Sequence, residues 1–369
     1  MSEPKTHIAI VVPGGIGTGE NNEGVPVLEQ LIQRLSVHHS ITVFSLFKVN
    51  TSYSADTFEM VSIHSKNYLL RFFYFLFEFQ KHHKRKKFKI LHGFWTLPSG
   101  LFAVIISKLF RVKSIVIVLG GDAASVPEIN YGELRRWHTR KLVLWSLRNA
   151  GGVITLTHYL KLNLQKAGLT RQVKVIPWGI DISNFLFNPK PIGDVIRFLN
   201  VGNLEPVKDQ ITALKCFSII AKKFNARLII IGTGSLEREL KKLALELKID
   251  HLCEFIGRVP YSEMKKFYHE ADVLLHTSLS EGQSEVVTEA MSCGLLVSGT
   301  SVGLIFDLPD YCVSVECQQY ESLANATIRI LKNHQEVQHL RENGHRWSRN
   351  HSIDWTVDQL TDLIRNFSH

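Results

Sequence analysis

The chain has 369 residues, 45% of them hydrophobic and 21% charged. That length suits two domains, and the balance excludes a disordered or fibrous polymer. The net charge of +9 is uneven: Met1–Phe185 holds 23 Lys and Arg against 11 Asp and Glu, so the first half is the part expected to meet something anionic. No apolar run approaches the roughly 18 residues of a membrane span, and Ile8–Val12 before Pro13-Gly14-Gly15 is too short for a signal-peptide core. A cytoplasmic protein is expected, or one peripheral on the inner face of a membrane. Five cysteines without a CxxC pair predict buried reduced thiols rather than a metal site or disulfides.

In chain order, short β-branched runs alternate with amphipathic stretches. His7–Val12 predicts a strand ending in a glycine-rich turn, Val27–Leu35 a helix, and Ile41–Phe47 a strand. Further strands follow around Leu91, at Ser114–Leu119, at Gly152–Leu156 and at Val173–Pro177. The segment Asn184–Asp194, with two prolines and a glycine, breaks the rhythm. It then restarts with strands at Ile196–Gly202, Arg227–Gly232, Cys253–Ile256, Val273–His276 and Leu295–Ser298. Helices are expected at Asp209–Phe224, Leu236–Lys248, Ser262–Ala271 and Glu285–Cys293, and Gln335–Phe367 reads as two helices broken near Asn350–Ser352.

Near-continuous apolar strands separated by helices indicate parallel sheets covered on both faces. The fold class expected is therefore α/β, two Rossmann-like α/β/α domains facing each other across a cleft. Residues 1–185 would form the first, 186–350 the second, and 351–369 a terminal helix packing back on the first. Ligands of such sheets bind at the carboxyl ends of the strands.

The sharpest local signal runs from Ser278 to Gly294. It places Glu281 in a loop after a strand and Glu289 inside the following helix, eight residues later, a span of about 12 Å if measured along a helix. The helix N-terminus between them offers free N–H groups and a positive dipole end to a diphosphate. Carboxylates beside an anion would repel it, so these two read as acceptors for sugar hydroxyls; the plain alternative is a pair of surface helix acids.

The segment Glu281–Gly294 (EGQSEVVTEAMSCG) resembles the Glu-x7-Glu signature of family 4 glycosyltransferases, which have the GT-B fold. Val201–Asp209, Ile229–Leu240, Glu254–Ser278, Lys174–Phe185 and His351–Leu360 resemble other segments of that family in the same order. The resemblance implies retaining transfer of a sugar from a nucleotide-diphosphate sugar to a glycan or lipid-linked acceptor, as in cell-surface polysaccharide synthesis, with no cofactor and no essential metal. It implies that the second domain holds the nucleotide and the first the acceptor. Carried onto this chain, Glu289 would bond the ribose, Glu281 a hydroxyl of the donor sugar, and Lys208 the diphosphate. Gly202, Asn203, Gly282, Ser284, Val286 and Val287 would complete the donor site. Asn203 stands where the family has an arginine, Gln283-Ser284 replaces a Phe-Gly, and Leu119 stands where a histidine often ends the strand. Asp122 matches an acid often found there and joins Glu281 as a candidate catalytic residue. Those departures motivate the rival reading, a non-catalytic nucleotide-sugar-binding protein or assembly subunit.

Loops of the first half supply further candidates. Pro13–Asn22 does not fit G-x-G-x-x-G, which disfavours a dinucleotide site, but its glycines suit close backbone approach, with Gly15 the contact expected. His92 and Trp95 sit near another strand end, and Asn130 in a polar loop where acceptor contacts are expected; His92 is equally explained as a core histidine, and a buried aromatic is the commoner fate for a tryptophan such as Trp95. Arg71–Lys89 sets six aromatic residues ahead of the basic run Lys84–Lys87 and Lys89. This is the pattern of a helix lying on anionic lipid, or of one packed inward with a solvated basic end. Nucleic acid is not expected, because the aromatics precede the basic run rather than interleave with it.

Overall fold

The computed structural model describes residues 5–18 and 24–368. Two compact units emerge: Met1–Ser125 with Gly132–Pro177 and Ile353–His369, and Val126–Tyr131 with Trp178–Ser352. The chain leaves the first unit between Pro177 and Trp178, ahead of the proline-rich segment read as the boundary.

The first unit is built on seven parallel strands: β1 (Thr6–Val12), β2 (His39–Ser45), β3 (Glu59–Ser62), β4 (Ile90–Phe94), β5 (Lys113–Val118), β6 (Gly152–Thr155) and β7 (Lys174–Val175). They are ordered β3-β2-β1-β4-β5-β6-β7. Between them run α1 (Pro26–His38), α2 (Tyr68–Arg85), α3 (Leu101–Phe110), α4 (Trp137–Asn149) and α5 (His158–Lys166). Strand centres such as Ile8–Val12 are fully buried, the expected state of parallel strands covered on both faces. Helix α2 begins at Asn67, whose Oδ1 accepts from Leu69 N at 2.8 Å. Its Phe75 and Phe79 then pack on Phe44, Leu91, Phe102 and Ile106.

The second unit repeats the plan with β8 (Ile196–Val201), α6 (Gln210–Ile220), β9 (Ala226–Ile231), α7 (Glu237–Glu246), β10 (Cys253–Gly257), α8 (Met264–Glu270), β11 (Val273–His276), α9 (Glu285–Cys293), β12 (Leu296–Thr300), α10 (Gly303–Asp307), β13 (Val313–Val315), α11 (Tyr320–Leu331) and α12 (His334–Asn350). Its parallel order is β10-β9-β8-β11-β12-β13, around a core that includes Phe198, Leu214, Phe217, Leu228 and Leu275. The last helix, α13 (Ile353–Ser368), returns to the first unit. There Asp354 pairs with Arg34 at 2.5 Å and Thr361 Oγ1 meets His39 Nε2 at 3.3 Å.

Both sheets reverse their strand order once, at β1/β4 and at β8/β11, which is the Rossmann arrangement expected. All five cysteines are free. No described helix is long and apolar enough to cross a membrane.

Candidate functional site

The reversal at β8/β11 organises the second unit's site, because loops leaving neighbouring strands in opposite directions open a crevice at their carboxyl ends. After β8 the chain turns through Gly202–Lys208 to Asp209, which adopts φ +44° and caps α6 by accepting from Thr212 N. After β11, Thr277 donates its hydroxyl to Asp209 O at 2.8 Å, and Leu279 N donates to Val207 O at 2.8 Å. The two loops are thereby clamped together. Glycines tighten the frame: a Cβ on Gly232 would stand 2.0 Å from Gly202 O, and one on Gly234 2.4 Å from Leu204 O.

This clamp brings Lys208 Nζ to 2.6 Å from Glu281 Oε1. The same oxygen accepts from Ser278 Oγ at 2.6 Å and lies 3.2 Å from His276 Nε2 at the end of β11. Burial alone would raise the Glu281 carboxyl, but the Lys208 ammonium and the contact with His276 hold it well below the usual carboxylate range. Glu281 is therefore an ionised group held in position by Lys208, Ser278 and His276.

Between Glu281 and α9 the chain is locked from two sides. Gln283 Oε1 accepts from Trp178 N at 2.7 Å, and its Nε2 donates to Trp178 O at 2.6 Å. Gly303, at φ +54°, has no room for a side chain: its Cβ would lie 2.8 Å from that of Glu281. Leu304 N donates to Gln283 O at 3.0 Å. Ser284, just before α9, sits at φ +78°, a conformation glycine adopts freely and serine rarely. Gly282 is buried, Val286 is half-buried at the start of α9, and Val287 is buried with its N–H donated to Ser284 O. Asn203 is exposed on the β8 loop, its carbonyl accepting from Gln210 Nε2 at 3.0 Å.

Glu289, about one turn into α9, is only 3% exposed. Its Oε2 accepts from the hydroxyl of Tyr268 on α8 at 2.5 Å, and Tyr261 also bonds it. Burial raises its carboxyl to about 7; the Glu285 charge adds to the rise and the two tyrosine hydroxyls oppose it. Glu289 is thus a hydroxyl acceptor, engaged by the protein's own hydroxyls.

The first unit's candidates are structurally committed. Asp122, expected among the catalytic residues, is 4% exposed with both oxygens taken. Oδ2 accepts from Thr96 N (2.8 Å) and Oγ1 (2.9 Å), and Oδ1 from Gly120 N (2.9 Å) and Leu119 N (3.2 Å). Its geometry is that of a positioning residue tying the loop after β4 to the loop after β5. His92 is not at a strand end but in the middle of β4, 1% exposed, with neither ring nitrogen bonded to a described residue. Burial pushes it down to about 3, so it is a neutral core histidine. Trp95 is half-buried at φ +62°, its N–H donated to Ile117 O. Gly15 adopts φ +90° and its carbonyl accepts from Val25 N, closing the loop after β1; residues 19–23 of that loop lie outside the described residues. Asn130 instead lies in the short stretch Val126–Tyr131 that groups with the second unit, exposed at φ +56° at the tip of the tight loop bridged by Val126 and Tyr131. Among the described residues no group of three or more His, Cys, Asp or Glu is disposed to hold a metal ion.

His276, Gly303, Tyr261 and Tyr268 are the members of the second-unit cluster that sequence reasoning missed, and Gln283 stands out in the sequence only as a departure from the family pattern, not for its bonds to Trp178. None belongs to a spacing pattern; each acts through a contact made only in the fold.

Residues 181–347 match the family described as Glycosyl transferases group 1, and residues 25–184 match Glycosyltransferase Family 4. Among curated proteins, the chain is similar to a phosphatidylinositol N-acetylglucosaminyltransferase subunit from Arabidopsis thaliana. Identity there is 27% over 180 residues, 47% of this chain and 40% of that one. It is also 32% identical over 149 residues to an uncharacterised glycosyltransferase of Methanocaldococcus jannaschii, covering 37% of this chain and 38% of that one. The matched stretches thus span about two-fifths of those relatives. Among solved structures, sucrose-phosphate synthase from Thermosynechococcus elongatus superposes with a TM-score of 0.79 at 18% identity, covering 98% of this chain and 99% of that one. Anabaena Alr3699/HepE, solved with UDP and glucose, gives 0.76 at 16% identity, covering 98% and 100%.

Proposed function

The chain belongs to the family 4 glycosyltransferases of GT-B fold, and from that premise we propose that it transfers a sugar, with retention of configuration, from a nucleotide-diphosphate sugar to a glycan or lipid-linked acceptor. The second unit binds the donor and the first the acceptor. One observation carries the reading: the loops on either side of the β8/β11 reversal set Lys208, Glu281 and the N-terminus of α9 beside one another.

The chemistry follows from that juxtaposition. The bond between the sugar's anomeric carbon and the phosphate oxygen breaks, and negative charge grows on the departing diphosphate. Lys208 and the positive end of α9 stabilise that charge where it develops. Glu281, held ionised, accepts a hydrogen bond from a hydroxyl of the donor sugar, and Glu289 from the ribose hydroxyls, in exchange for a tyrosine hydroxyl. The acceptor oxygen bonds to the anomeric carbon from the face the phosphate leaves, and its proton passes to a phosphate oxygen. No metal is required. Relatives and neighbours narrow the first trials: Alr3699/HepE is known with UDP-glucose, and the Arabidopsis relative is named for a phosphatidylinositol acceptor.

The test is turnover of uridine, guanosine and adenosine diphosphate sugars, with and without glycan and lipid acceptors, the product anomer being assigned by proton NMR. One donor is expected to be consumed with retention, and Lys208→Ala is expected to lower kcat/KM by about 100-fold or more. An inverted product overturns the retaining mechanism. Nucleotide binding without turnover of any donor returns the protein to the non-catalytic reading.

A further inference from the structure

Helix α2 is apolar on two sides. Its inward residues Phe75 and Phe79 are fully buried in the first unit's core, yet Leu69, Leu70, Phe73, Tyr74 and Phe77 on its outer side are 50–71% exposed. Residues 70, 73, 74 and 77 form one stripe along the helix. Continued toward the C-terminus, the same stripe becomes Lys81 and Lys84, followed by the exposed Arg85, Lys86 and Lys87.

The surface does not stop at α2. The connections β3-α2-β4, β4-α3-β5 and β5-α4-β6 all advance the same way across the sheet, and right-handed crossovers put their helices on one face. Direct contacts agree: Phe72 of α2 meets Phe102 of α3 with ring centres 5.1 Å apart, and Lys108 of α3 bonds Asn149 of α4. On α4, Trp137 (71% exposed) and Trp145 (41%) point outward. Lys141 Nζ lies 4.8 Å from the Trp137 ring centre and Lys108 Nζ 5.6 Å from that of Trp145. Leu109 of α3 and Leu142 of α4 are also exposed.

The charge on this layer is one-sided. Helices α2, α3 and α4 together carry eight Lys and Arg and a single acid, Glu78. A second copy of the chain would bring the same positive field against itself, and a nucleic acid backbone offers nothing to a row of exposed leucine and phenylalanine. Tryptophan and tyrosine settle at the level of lipid headgroups, phenylalanine and leucine enter the acyl boundary, and lysine and arginine meet anionic phosphates. We propose that the α2–α3–α4 face of the first unit docks on the surface of an anionic lipid bilayer. It lies on the bilayer, since no described helix is able to span one. The docking is independent of which sugar is moved.

The experiment is co-sedimentation of the full chain with vesicles of phosphatidylcholine alone and of phosphatidylcholine with about one-third phosphatidylglycerol. Wild type is expected to partition to the anionic vesicles about tenfold or more tightly than to neutral ones, and to be released by salt. Three paired variants probe the face: Phe73→Ser with Phe77→Ser, Trp137→Ala with Trp145→Ala, and Lys84→Glu with Lys87→Glu. Each is expected to weaken retention about fivefold or more. Leu245→Ser, on exposed α7 of the second unit, is the control and is expected to bind like wild type. All sites are exposed, and matching thermal melts establish that each variant is folded. Equal retention on both vesicle types overturns the proposal, as does retention unchanged by all three pairs. So does a dimer in solution that Phe73→Ser with Phe77→Ser dissociates.

Discussion

Glu289 holds a carboxyl in the second unit's interior at about 7, and the direction of that shift has consequences for both stability and binding. A buried acid whose folded value stands above the usual 4.5 favours the folded chain fully below that value and loses its contribution as pH rises through about 7. The nucleotide-free protein is therefore expected to melt at progressively lower temperature between pH 5 and about 7.5, and Glu289→Gln is expected to flatten that slope. Parallel melting curves for the two proteins would remove the buried ionisation from the account. Ribose hydroxyls are better accepted by the carboxylate than by the acid, so nucleotide affinity is expected to rise over the same interval in wild type alone. The residue types at 281 and 289, and their eight-residue interval, are legible in the sequence. That Tyr261 and Tyr268 bond Glu289 is not, because the partners come from another element at no fixed interval.

At the scale of elements, sequence and structure agree where the physics is local. Strands β8, β9, β10 and β11 and helix α9 fall within a residue or so of their expected bounds, since buried parallel strands declare themselves as β-branched runs. Gln335–Phe367 divides into α12 and α13 near Asn350–Ser352 as expected. The stretch 299–334 gave no such signal, and α10, β13 and α11 lie there; α10 is short and depends on Gly303 packing against the Glu281 loop. The outer face of α2 misleads periodicity for a related reason: aromatics on both sides leave no polar stripe to mark the exposed one. The lock on the Glu281 loop is likewise a tertiary feature. Gln283→Ala removes two hydrogen bonds to the Trp178 backbone and is expected to cost about 2 kcal/mol, measured by urea unfolding. It should also weaken nucleotide binding by loosening Glu281, and Gln283→Glu, which keeps an acceptor for Trp178 N, should recover part of the stability. An unchanged denaturation midpoint for Gln283→Ala would show that the lock does not hold the loop.

At the scale of the whole molecule, the two units use the same Rossmann plan for different surfaces. The second unit gathers a cation, a fixed carboxylate and a helix N-terminus at its strand-order reversal; the first exposes a basic, aromatic helical layer. The charge imbalance between the halves was plain in the composition, and so was the alternation that specifies two parallel sheets. The commitment of His92 and Asp122 to internal structure was not, because a strand-end histidine and a core histidine look alike in one dimension. The central claim is that Lys208 and its neighbours receive the diphosphate of a nucleotide donor. Calorimetric titration of wild type and Lys208→Ala with uridine, guanosine and adenosine diphosphates tests it most directly. Wild type is expected to bind one of the three, and Lys208→Ala, folded by its melting curve, to bind the same one about tenfold or more weakly. Equal affinity in the two proteins, or no binding of any of the three to wild type, would contradict it.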